Sequence, residues 1–111
     1  MEITTQEQSE VAVVSITGEM DSKTAPDAQE RLLPFVETHS HLVVDLSGLT
    51  FMSSAGLRMM LLLYRQVTAK NGKVALVGLS DQIKDTMLAT GFLGFFVVCG
   101  TVEEARTAVK A

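Results

Sequence analysis

Asp45-Leu46-Ser47-Gly48-Leu49-Thr50-Phe51-Met52-Ser53-Ser54-Ala55-Gly56-Leu57 is the stretch on which the fold turns. With Leu42, Val43 and Val44 ahead of it, residues 42–46 form a nearly continuous apolar run, as expected of a strand buried on both faces. Residues 47–52 read as a loop. Two hydroxyls, Ser53 and Ser54, then stand before a helical pattern that reaches about Lys70. Leu57, Met60, Leu61, Tyr64 and Val67 fall on one face of that helix, with Arg58, Arg65 and Gln66 elsewhere on the wheel. A buried strand, a loop and a helix opening on side-chain oxygens is the repeating unit of an α/β domain.

The flanking sequence repeats this unit. Upstream, residues 2–8 are polar and weakly strand-like, whereas residues 11–17 are β-branched and closed by Gly18. The polar pair Ser9-Glu10 between them predicts a hairpin, with the first strand an antiparallel edge. Asp21 or Ser22 offers an oxygen to cap the next helix, which must open near Pro26 because proline is tolerated only in a first turn. Ala25, Ala28, Leu32, Phe35 and Val36 give it an apolar face, and Pro34 predicts a kink or an early end. Downstream, Asn71-Gly72 stops the long helix, and residues 73–77 form another buried strand. A helix over 81–90 follows, with Ser80 as its cap and Gly91 after it. A last strand over 95–98 precedes a helix capped by Thr101, with Glu103 and Glu104 at its positive end and Lys110 near its negative end. The order is ββαβαβαβα. It predicts one domain over residues 1–111: a mixed, largely parallel sheet of about four or five strands with about four helices. Loops after the carboxyl ends of strands carry function in such folds. Two stand out, residues 18–22 and 47–54.

Composition limits the function. The chain has 111 residues, 47% hydrophobic and 20% charged, with a net charge of −4. That is ordinary globular composition for a domain able to build its own core. Its acidity disfavours nucleic acid, whose recognition rests on Lys and Arg neutralising phosphates. Cys99 is the single cysteine, which excludes an internal disulfide and fits a reducing cytosol. No secretory signal opens the chain, and the longest strongly apolar run, 59–63, is far short of the roughly 20 residues of a membrane span. The expectation is a soluble, cytoplasmic protein with no membrane insertion.

Constellations for catalysis are missing. There is no phosphate-binding G-x-x-x-x-G-K-[ST] loop and no G-x-G-x-x-G after a strand. His39 and His41 sit in a polar turn without the Cys, Asp or His partners that a metal requires. Cys99 reads as a small core hydrophobe. Glu19 and Asp21 are a close carboxylate pair, but capping explains Asp21 more simply than acid–base chemistry. No enzyme, metal or cofactor is expected. Met20 and Met52 each lie in one of the two loops; they either tuck inward or form a soft apolar rim for a partner.

The Ser53-Ser54 helix start is the best candidate site. Free backbone N–H groups and the helix dipole favour an anion there. Phosphorylating a hydroxyl adds about −1.5 to −2 charges, which the helix end can accept and a closely docked partner would not. The plainer reading makes one serine a simple N-cap. Gly56, in the first turn, costs about 1 kcal/mol relative to Ala and implies close approach of a backbone or a bulky ligand.

Gly18-Glu19-Met20-Asp21 followed by Thr24-Ala25 resembles the G-E-L-D…T-A signature of STAS domains, and the 45–57 segment resembles that family's D-L-S-G-V-x-[FY]-[ML]-D-S-S-G-L motif. With no transporter or sensor domain attached, the resemblance points to stand-alone bacterial anti-sigma factor antagonists. It implies a non-catalytic switch. The unphosphorylated form would bind an anti-sigma factor that is also a serine kinase, releasing sigma factor. Phosphorylation, at Ser54 by motif register with Ser53 as the runner-up, would block binding, and a PP2C-type phosphatase would reverse it. Asp21 would lie beside Ser54 and help engage the kinase. Met20, Asp21, Ser22, Met52, Ser53, Ser54 and Gly56 would line the docking surface. The sequence departs from the motif in two places: Ser53 replaces the acidic residue and Ala55 the second serine. The alternative is a STAS subunit of a transport or stress-sensing complex, without a phosphoswitch.

Overall fold

A computed structural model describes residues 1–8 and 11–110. The elements are β1 (Glu2–Gln8), β2 (Val11–Met20), α1 (Ala25–Thr38), β3 (His41–Asp45), β4 (Leu49–Met52), α2 (Ser54–Thr68), β5 (Val74–Val77), α3 (Asp81–Ala89), a 3-10 turn (Leu93–Phe95), β6 (Val97–Cys99) and α4 (Val102–Lys110). The main sheet runs β1-β2-β3-β5-β6. β1 is antiparallel to β2, and the β2–β3, β3–β5 and β5–β6 pairs are parallel. The expected antiparallel edge is therefore present, while the Ser9-Glu10 turn lies outside the described residues.

Alternation along the strands divides the core. Ala12, Val14 and Ile16 of β2 face one side, where Leu32, Met60, Leu63 and Met87 of α1, α2 and α3 pack. Val11 and Val13 face the other side, where they meet Ala105 and Val109 of α4 together with Val43, Ala75 and Val77. This period-2 division is what a pleated strand imposes when both faces are covered.

Three expectations need correction. Residues 49–52 form a strand, not a loop, which makes six strands. β2 is long enough to serve two partners: Val11–Ser15 pair with β3, and Gly18, Glu19 and Met20 with β4. Buried Leu49 and Met52 anchor the segment, and Thr50 Oγ1 donates to the Gly18 carbonyl at 3.0 Å. Next, α1 is preceded by Thr24 as its N-cap, not by Asp21 or Ser22, and it runs through Pro34 to Thr38. Pro34 stands on the exposed side, while Leu32 and Val36 hold the other side in the core. Finally, the last strand begins at Val97, because Leu93 and Phe96 are drawn into the core by the 3-10 turn. The long helix otherwise matches its reading, except that Leu63 is fully buried and Leu61 and Tyr64 are half-buried. Its stop uses Asn71 in the left-handed region (φ 63°) and Gly72, where a Cβ would collide with the Ser40 carbonyl oxygen.

Candidate functional site

The site is built where β2 and β4 deliver the chain to the openings of α1 and α2. Ser53 is the N-cap of α2. Its backbone is extended (φ −83°, ψ 177°), and its Oγ accepts the Gly56 N–H at 3.4 Å. Its own N–H donates to the Met20 carbonyl at 2.8 Å, which ties the helix start to the end of β2. Ser54 is the first helical residue. It is exposed, and its hydroxyl makes no hydrogen bond among the described residues. The two serines thus differ in kind: one oxygen is engaged in capping, while the other stands in solvent one step into the helix dipole.

Asp21 follows Met20 directly, so the Ser53–Met20 bond brings its loop to the same rim. Its Oδ1 accepts the N–H groups of Lys23 at 2.9 Å and Thr24 at 3.0 Å. Thr24 Oγ1 accepts the Asp21 N–H at 2.8 Å and donates to the Glu19 carbonyl at 3.0 Å. These bonds, that from Thr24 foremost and that from Lys23 next, stabilise the charged carboxylate and hold its pKa below the ordinary 3.8. The loop is therefore set before any partner arrives. Between α1 and α2 a groove of about 410 Å³ is lined by Ser22, Pro26, Gln29, Ala55, Arg58 and Leu62, among others.

Ser22, Ser53, Ser54 and Asp21 thus reach the surface together. Met20, Met52 and Gly56 do not. Met20 is 0% and Met52 8% exposed, so the expected methionine rim is absent. Both side chains pack beneath the helix start, against Gly56. A Cβ there would lie 2.9 Å from Met52 Cγ and 3.1 Å from both Met20 Cγ and the Met20 carbonyl oxygen. Gly56 admits the chain's own backbone and methionines, so the close approach it implied is internal.

Two residues escaped the sequence reading. Phe51 is 44% exposed on β4, beside the site. Arg58 lines the groove one helical turn after Ser54. The first was hidden because β4 read as a loop; the second was legible as an i,i+4 spacing. The histidines lie elsewhere. His39 is buried with Nδ1 2.9 Å from the Phe35 carbonyl, and His41 Nδ1 accepts the Lys73 N–H at 3.2 Å. Among the described residues no group of three His, Cys, Asp or Glu side chains could hold a metal ion, and no helix is long and apolar enough to cross a membrane.

The STAS domain model matches residues 2–105, nearly the whole chain. This chain belongs to the STAS domain family. Among its STAS relatives, BtrV of Bordetella bronchiseptica, a candidate anti-sigma factor antagonist, is 29% identical over 99% of this chain and 96% of its own. The crystal structure of an anti-sigma factor antagonist from Mycobacterium paratuberculosis superposes with a TM-score of 0.88 at 28% identity, covering 99% of this chain and 94% of that one. SpoIIAA, a Bacillus cell fate determinant, shares the fold in two forms, each 20% identical to this STAS chain. Its unphosphorylated structure has a TM-score of 0.85 over 98% of this chain and 96% of that one. Its phosphorylated structure has a TM-score of 0.77 over 97% and 99%.

Proposed function

We propose that this STAS protein is an anti-sigma factor antagonist, a binding switch without catalytic activity. The observation that carries the reading is the exposed, unbonded Ser54 hydroxyl at the first position of α2, beside a loop already organised by Asp21. In the unphosphorylated state the rim formed by Asp21, Ser22, Ser53 and Ser54 docks on an anti-sigma factor that is also a serine kinase, and sigma factor is released. The kinase transfers the terminal phosphoryl group of ATP to Ser54 Oγ: the bond from the γ-phosphorus to its bridging oxygen breaks, a P–Oγ bond forms, ADP leaves, and the hydroxyl proton passes to a base of the kinase. The resulting charge of about −1.5 to −2 suits a helix N-terminus but not a closed, desolvated interface, so the partner leaves while the fold persists. A PP2C-type phosphatase hydrolyses the phosphoserine with water, releasing inorganic phosphate and restoring the hydroxyl. Met20, Met52 and Gly56 support this rim from below. The antagonist relatives from Bordetella and Mycobacterium favour the reading, as does a protein of the same fold that exists in a phosphorylated form.

Co-purification followed by kinase treatment tests it. The unmodified protein is expected to capture an ATP-dependent serine kinase, and mapping after treatment is expected to place one phosphate on Ser54. Ser54→Ala should bind and stay unlabelled. Ser54→Asp should fold normally and bind at least about tenfold more weakly, a loss of about 1.4 kcal/mol. Labelling of Ser53 instead, or capture of an ATP-binding membrane subunit in place of a kinase, would overturn the assignment.

A further inference from the structure

The chain carries a net charge of −4, yet α2 contains no acidic residue. It contains Arg58 and Arg65, both exposed. Arg58 follows Ser54 by four positions. Residues so spaced are about 40° apart around a helix and one turn apart along it, which makes them neighbours on one face. Arg58 also lines the α1–α2 groove together with Ser22 and Ala55, the residue after Ser54. Among the described residues Arg58 has no ion-pair or hydrogen-bond partner. Arg31 on α1, by contrast, pairs with Asp27 one turn before it, at 3.7 Å. The helix therefore holds an uncommitted cation in register with the exposed hydroxyl. Ser53 is out of register. It lies five positions from Arg58, its backbone is extended, and its oxygen already caps Gly56.

The other charges around the rim are carboxylates or cations already set beside one. The Asp21 carboxylate is turned into its own loop, with Lys23 beside it. Glu19, at the end of β2, is exposed and negative, and Asp27 is occupied by Arg31. For a phosphate on Ser54, Arg58 is the cation that its own helix face offers.

We propose that Arg58 is the built-in positioning residue for phosphoserine 54: its guanidinium pairs with the phosphate along α2 and favours the fully ionised form. This rests on the reading of Ser54 as the modified residue. A guanidinium fork suits phosphate oxygens in pairs, so Arg58 fixes orientation as well as charge. The modification is thereby held against the protein's own surface, with a modestly larger share of dianion near neutrality.

The test installs phosphoserine at position 54 during translation, without any kinase, and follows its 31P resonance against pH. Arg58→Ala is expected to raise the second phosphate pKa by about 0.3 unit, roughly a twofold fall in the acidity constant. Arg58→Lys should recover most of the difference, and 1 M salt should remove most of it. Arg65→Ala, nearly two turns beyond Arg58, should leave the pKa unchanged. Phosphoserine at position 53 should not respond to Arg58→Ala. An unaltered pKa in Arg58→Ala, or equal shifts in Arg58→Ala and Arg65→Ala, would overturn the pairing. Circular dichroism checks that each variant is folded. Because the phosphoserine is encoded, a kinase that chose Ser53 would overturn the assignment of the switch but leave this measurement decisive.

Discussion

Asp21 couples the geometry of the rim to proton binding. Its carboxylate accepts two backbone N–H groups in the folded protein and none reliably in the unfolded chain, so its folded pKa is lowered. The sign follows from linkage. A group whose pKa is lower in the folded state contributes stability that is fully present above its unfolded pKa of about 3.9 and is lost as pH falls through the folded value. The Asp21 loop is therefore expected to stay organised at neutral pH and to loosen only in acid. An NMR titration of the Asp21 carboxyl should give a midpoint below 3.8. Asp21→Asn should remove that titration while keeping an oxygen for the two N–H groups; a midpoint at or above the ordinary value would contradict the Asx geometry. At this scale the sequence was readable where the chemistry is local. Ser53 and Ser54 were legible because hydroxyls before an apolar helical pattern are caps or helix openers. Met20 and Met52 were not legible, because a methionine in a connecting segment carries no mark of the direction in which it points. Burial came from the pairing of β2 with β4, which unites residues more than 30 positions apart.

The elements differ in how far local sequence determines them. α2 has an apolar face, a serine cap and an Asn-Gly stop, and these signals agree, so its limits fell within about two residues of expectation. β4 gives no such agreement. Its four residues follow a Ser-Gly pair and show a buried–exposed–exposed–buried pattern rather than alternation, because the register shifts by a residue beside Gly18. α1 is a third case, in which tertiary packing overrides a local breaker. Pro34 withholds the N–H that the Glu30 carbonyl would accept, yet Leu32 and Val36 bury on the opposite side and carry the helix on to Thr38. The lost bond should be recoverable. Pro34→Ala is expected to stabilise the protein by about 1–2 kcal/mol, less than the roughly 3 kcal/mol of a helix interior because proline also restricts the unfolded chain. Urea denaturation measures the difference. A variant no more stable than the parent would mean that the helix had already relaxed around the ring.

At the scale of the whole molecule, one sheet is shared by two unequal cores. α1, α2 and α3 cover one face; α4 covers the other with Ala105 and Val109 against Val11, Val13, Val43, Ala75 and Val77. Because Val11, Val13, Ala12 and Val14 belong to the same strand, neither core can lose its floor without the other losing it too. Unfolding should therefore be a single transition, even though α4 packs in the core opposite that of α1 and α2. Leu63→Ala, at a fully buried position in the larger core, is expected to cost about 2–5 kcal/mol. Val109→Ala, at a fully buried position in the smaller one, should cost about 1.5–3 kcal/mol from lost transfer energy and a cavity. The two sites lie on opposite faces with no shared partner, so the double variant should add the two costs to within about 0.5 kcal/mol. Tyr64 reports on the larger core through its packing with Phe95 and Phe96 at ring separations of 5.4 and 5.5 Å. Amide exchange along α4 reports on the smaller one. Both probes should give the same midpoint in each variant. If α4 in Val109→Ala exchanged while Tyr64 kept its native signal, the faces would be separate cooperative units. The rim around Asp21 and Ser54 would then be insulated from the back of the sheet by more than distance.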